Sequence, residues 1–236
     1  MRWGCCLDGR VCEQGFDAGC AKKGVMQEAI PETNESPLDQ SLEVARIATF
    51  SDGVFAIAIT LLALQLQVPG SGDLGDNLQA LLPNVLSFLI SFAVIGSFWV
   101  THHRLFARIV RYNAGLIWLN MLVLLFIVLM PFTASLIGEH GDQPLAVVIY
   151  ALSIAAAGLA STGMAAYAFV GHRLCSDDVP PDFVRFSIAR GLVVPGVFLA
   201  SLLLLPLGSD YTMYGWLVTP VVQRVVQWRL GSRGEA

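Results

Sequence analysis

The chain has 236 residues, of which 55% are apolar and only 14% charged, with a formal net charge of −4 and a mean hydropathy of +0.64. A soluble domain carries about a quarter charged residues, so this composition excludes an ordinary water-soluble globule and indicates a membrane protein. No basic cluster is present, which removes nucleic acid as a partner.

Residues 1–41 read as a polar, unstructured cytoplasmic tail. They lack the apolar core of a cleavable leader. Four of the five cysteines, Cys5, Cys6, Cys12 and Cys20, lie there, and Cys175 stands apart. Their spacing matches no zinc pattern, so no metal or redox role is assigned. Met26 opens a more ordinary start, and residues 1–25 read as an extended gene start without function.

The first apolar run covers 44–68, more than the ~20 residues a helix needs to cross a bilayer. It contains Asp52, and a carboxylate at that depth is costly enough to mark a functional site. Ile57, Thr60, Leu61 and Leu64 recur at i, i+3, i+4 and i+7 and form one stripe. Two readings stay open: a packing face, or the lining of a pore. In the second, rings of Ile57 and Leu64 flank a ring of Thr60 hydroxyls, an apolar constriction that gates ions by dewetting.

The second run, 81–103, ends on Trp99 and His102, three residues apart and on one face. Each is a donor able to reach Asp52. With Arg46 and Ser51 they are expected to hold the first helix in place. A proton relay through Asp52 and His102 is the sharper alternative. His103 reads as interfacial.

The remaining runs are 113–137, 144–170, 186–206 and 210–228. Pro131, Pro195 and Pro220 are expected to bend the third, fifth and sixth. The fourth is rich in small residues over 153–163, which permits close helix approach. The sixth is the weakest, with Gln223, Arg224 and Gln227 near its end.

Loop charge tests the count. The connections 69–80, 138–143 and 207–209 hold no Lys or Arg but carry Asp73, Asp76, Glu139 and Asp142, with Asp210 at the next edge. The opposite side holds Arg104, Arg108, Arg111, Arg173, Arg185, Arg224, Arg229 and Arg233. Because Lys and Arg collect on the cytoplasmic side, this alternation places both termini there, provided that the sixth run spans. No period-two alternation suggests a barrel. Gly-x-Ser-x-Gly, His-Glu-x-x-His and a phosphate-binding glycine loop are absent, as is the Thr-Val-Gly-Tyr-Gly filter. No catalytic residue, cofactor or metal ligand is assigned, and enzyme activity is not expected.

The run Arg46-x-x-x-Phe50-Ser51-Asp52, followed by Ala56-Ile57 and Thr60-Leu61-Leu62, resembles the first-helix motif of the endosomal/lysosomal potassium channel family, including its bacterial single-repeat members. Trp99-x-x-His102-x-x-x-Phe106 resembles the second-helix motif, and Asn120 with Pro131-Phe132 is similar to the third helix. The resemblance covers about 42–230. It implies an all-α, six-helix transmembrane channel domain over 42–230, a short cytoplasmic tail at 231–236, and a homotetramer in the bacterial inner membrane that passes K+ ions across the lipid bilayer. It also implies that the first helix lines the pore, with Ile57 and Leu64 as constriction, Thr60 tied to potassium preference, and Arg46, Ser51, Asp52, Trp99 and His102 as a structural network. Among the open alternatives it favours the pore reading. The Cys-bearing tail has no counterpart in the resemblance.

Overall fold

The computed structural model describes residues 37–67, 73–176, 179–216 and 218–231. The tail with its four cysteines lies outside these. All described residues belong to one unit, Glu35–Ala236, and they are helical apart from connections and one antiparallel bridge, Ile109 to Cys175.

Helix α1 spans Pro37–Ala63. It starts earlier than its apolar run, because Pro37 opens the first turn and Asp39 sits where the positive helix end favours an acid. It also stops short of Val68: a turn at Leu64 and Gln65 ends it. Helix α2, Leu74–Ala80, is capped by Asp73, whose Oδ2 accepts from Gly75 N at 2.9 Å. Helix α3, Leu82–Phe106, carries Pro83 in its first turn, where no intrahelical donor is lost. Helix α4, Ala114–His140, is capped by Asn113, whose Oδ1 accepts from Leu116 N at 2.9 Å. A short connection leads into α5, Pro144–Phe169. Val110 N and Arg111 N both donate to Leu174 O, tying the connection after α3 to the one after α5.

The fifth and sixth apolar runs depart from expectation. The fifth is split into α6, Pro181–Gly191, and α7, Val193–Ser201, followed by a 3-10 stretch, Leu202–Leu207. Pro195 has no N–H to give Gly191 O and its ring crowds that carbonyl, so the break falls one turn before the proline. The sixth is two short helices, α8 at Ser209–Trp216 and α9 at Thr219–Gly231. Pro220 opens α9 rather than bending a long helix, the position where a proline is tolerated best. Pro131, by contrast, lies inside an α4 that stays helical throughout. Among the described residues, five stretches are long and apolar enough to cross a membrane: Leu38–Ala63, Leu74–Phe106, Ala114–His140, Pro144–His172 and Asp182–Leu207.

Helix α5 is the hub. In its most apolar window 61% of residues are buried, against 22% in α1, so α5 packs on several sides and α1 on one. Its small residues make this possible. A Cβ on Gly158 would lie 2.8 Å from Pro195 Cδ, and one on Gly191 would lie 2.5 Å from Thr162 Oγ1. The small-residue stretch is thus the surface on which the α6–α7 break is seated, the packing role expected of it. The core joins Phe55 and Leu62 of α1, Ile95 and Phe98 of α3, Leu116, Ile127 and Met130 of α4, and Ile154 and Met164 of α5.

Candidate functional site

Helix α1 has two unlike faces. Val44, Ser51, Phe55, Ala58 and Leu62 are buried, at the 3-and-4 spacing of one helical side, and α1 packs on α3 and α4. The other side is open. Ile57 is 60% exposed, Leu61 40% and Leu64 70%. Thr60 lies among them, exposed, and its Oγ1 donates to Ile57 O at 2.8 Å. One turn below Ile57, Gly53 has open space where a Cβ would stand. The four stripe residues therefore share one uncovered face of the subunit. Between packing and exposure within one subunit, the geometry is exposure.

The Thr60 bond has a chemical consequence. A hydroxyl has one proton and two lone pairs. With the proton directed back to the preceding turn, the oxygen presents lone pairs outward, the form in which it can replace a water on a cation.

The polar network forms, with different pairings from those expected. Trp99 Nε1 donates to Asp52 Oδ1 at 2.8 Å, joining α3 to the flank of α1. His102 does not reach Asp52; its Nε2 donates to Asn120 Oδ1 at 2.8 Å. Asn120 Nδ2 in turn donates to Ser51 Oγ at 3.0 Å, and Ser51 Oγ donates to Ile47 O at 2.9 Å. Ser51, His102 and Asn120 are all buried, one from each of α1, α3 and α4. The His102 ring stacks on Phe106 with centroids 4.5 Å apart and tilts against Phe55. Arg46 is no part of this network. It is exposed and pairs with Glu43 at 2.6 Å, three residues back on its own helix. Arg46 and Asp52 are six residues apart on α1, which puts them on different sides of the helix rather than at the spacing of three or four that makes side chains neighbours, so among the described residues Arg46 pairs with Glu43 and not with Asp52.

Asn120 is the member that local reasoning undervalued. A lone amide in the apolar α4 run is a signal in itself, since a buried amide without partners costs several kcal/mol at the upper end. Gln65 is a second such residue. Its Nε2 donates to Pro131 O, pinning the end of α1 beside Leu64 to the middle of α4. The open stripe is therefore held at both ends, by the Asp52 and Ser51 bonds below and by Gln65 above. Among the described residues no group of His, Cys, Asp or Glu is placed to hold a metal.

A family model described as endosomal/lysosomal potassium channel TMEM175 matches residues 46–131, which contain the stripe and every member of the network. A potassium channel of Streptomyces collinus is 39% identical over 125 residues, covering 50% of this chain and 61% of the relative's length. A potassium channel of Chamaesiphon minutus is 34% identical over 167 residues, covering 67% of this chain and 82% of the relative. A crystal structure of a lysosomal potassium-selective channel TMEM175 homolog from Chamaesiphon minutus superimposes with a TM-score of 0.63 at 28% identity, over 83% of this chain and all of that one. A human relative named endosomal/lysosomal proton channel TMEM175 is 26% identical over 196 residues, covering 78% of this chain and 39% of its own length.

Proposed function

The chain belongs to the endosomal/lysosomal potassium channel TMEM175 family, and from that membership we propose that it is a potassium-selective cation channel of the bacterial inner membrane. Identical subunits, four in the family's single-repeat form, surround a central passage lined by α1. Six spans per subunit, the last formed by the α8–α9 pair, leave both termini cytoplasmic. Passage is passive and needs no cofactor.

The observation that carries the reading is the open face of α1. A membrane helix with a free apolar side has two covers available, lipid or its own copies. Two features favour copies. The face includes an oxygen with its lone pairs turned outward at Thr60, between the side chains of Ile57 and Leu64. In addition, α1 is held against its own subunit by hydrogen bonds to two other helices, an exposed one between Asp52 and Trp99 of α3 and a buried one between Ser51 and Asn120 of α4, a rigidity that a pore radius needs and lipid contact does not. Ile57 and Leu64 would close the passage to hydrated ions by dewetting, and Thr60 would offset part of the dehydration of the ion that passes.

A proton-conducting role, suggested by the name of the human relative, would draw on Asp52 and His102. His102 is buried and committed to Asn120, and Asp52 accepts from Trp99 on the flank of α1. Neither lies on the open face, which supports potassium over protons. The test is bilayer recording of the purified protein with potassium on one side and sodium on the other. A reversal potential near that of potassium, unmoved by a superimposed pH gradient, is expected. Absence of any cation current, or a reversal potential that tracks protons, overturns the proposal.

A further inference from the structure

A second feature lies away from α1. A groove of about 650 Å³ opens between α3, α5, the α6–α7 break and α9. Arg104, Arg108 and Arg190 line it, and no carboxylate is among the lining residues. Arg108 lies over the Phe183 ring at 4.1 Å and donates to Arg104 O at 3.3 Å. For the side chains of Arg104 and Arg190, no carboxylate partner occurs among the described residues. Arg190 is half-buried, so its guanidinium has lost part of its water without gaining a counter-ion, an arrangement that favours an anion.

The rest of the groove is apolar or weakly polar. Its α5 wall is one helix face, Gly158, Thr162, Ala165 and Phe169, which at 1.5 Å per residue extends about 16 Å from the arginine end into the span. Val194 beside the helix break continues it. A cationic mouth at the end of the span where arginines collect, with an apolar trough running inward, matches an amphiphile whose head is anionic. Guanidinium forks suit phosphate oxygens in particular, and basic pockets between membrane helices on the arginine-rich side are suited to phospholipid heads.

We propose that this groove binds an anionic phospholipid, its phosphate held by Arg104 and Arg190 and an acyl chain laid along the α5 face. The inference is independent of the pore reading, since binding is measured without current. The experiment is thermal unfolding of the full chain in a neutral detergent, titrated with phosphatidylglycerol, phosphatidylcholine or inorganic phosphate. Saturable stabilisation by phosphatidylglycerol alone is expected. Its apparent affinity should weaken about tenfold or more in Arg104→Gln/Arg190→Gln and be largely retained in Arg190→Lys. Because the exposed Arg104 side chain makes no bond among the described residues, Arg104→Gln by itself decides the matter if the double variant does not fold, and it should weaken binding too. Equal stabilisation by phosphatidylcholine, stabilisation by inorganic phosphate alone, or undiminished affinity in the variants overturns the proposal.

Discussion

Trp99 Nε1 and Asp52 Oδ1 meet at 2.8 Å across the seam between α3 and α1. The indole has one donor and no acceptor, so this bond uses all of its hydrogen-bonding capacity. The carboxylate gains a fixed donor in return, on the exposed flank of the seam. The pair sets the azimuth of α1, and with it the direction in which Ile57 points.

Asp52→Ala and Trp99→Phe should each destabilise the assembled protein by about 1 kcal/mol, toward the low end for a charge-assisted bond because Trp99 is 39% exposed. The double variant should lose little more than the worse single variant, since the two residues share one interaction. Thermal unfolding of all three in one detergent checks this; strict additivity would contradict the pairing.

Asn120→Leu removes an amide that serves two buried partners, Ser51 and His102. His102 is left without its partner, while Ser51 keeps its bond to Ile47 O, at a cost of about 1–3 kcal/mol. Unfolding temperature should fall further than for Ser51→Ala, which deletes the smaller partner and leaves the Asn120–His102 bond in place.

Arg46→Ala should have almost no effect on stability, within about 0.5 kcal/mol. Its partner Glu43 is on the same exposed helix surface, where ion pairs contribute little. A large loss would mean that Arg46 serves a contact between subunits rather than the network within one.

Ile57→Asn should raise single-channel conductance and weaken discrimination between potassium and sodium, because a polar ring stays wet. Thr60→Val keeps the shape and deletes the hydroxyl. Among the described residues its hydroxyl bonds Ile57 O within the same turn, so folding should be unchanged while selectivity drops. Reversal potentials in mixed potassium and sodium measure both effects; unchanged values in both variants would remove these residues from the pathway.

Gly158→Leu would force a side chain against Pro195 and open the seat of the α6–α7 break. Overpacking of this kind costs about 1–3 kcal/mol. A matching fall in unfolding temperature is expected, and Gly196→Ala, which meets open space, serves as the neutral control.

Much of the chain was legible because a bilayer imposes simple rules. Apolar run length marked the α1, α3, α4 and α5 spans to within a few residues at most of their ends, and the stripe at Ile57, Thr60, Leu61 and Leu64 follows from the helical repeat. The helix breaks were less legible. Composition announces that Pro195 and Pro220 disturb a helix, but whether a proline kinks, splits or starts one depends on what receives the freed carbonyl and ring. Here Gly158 leaves room for Pro195 and the break becomes a packing surface.

Hydropathy, charge alternation and residue spacing by themselves determined that this is a multi-span helical membrane protein with a distinctive first helix, because those properties depend only on transfer from water and on 3.6 residues per turn. Which polar group partners which was decided by tertiary structure alone. Asp52, Ser51, His102, Trp99 and Arg46 offer several donor–acceptor pairings at similar sequence distance. Only the positions of α3 and α4 around α1 select Trp99 for Asp52 and Asn120 for His102 and Ser51, because a hydrogen bond requires contact within about 3 Å and helix spacing in the chain carries no such distance.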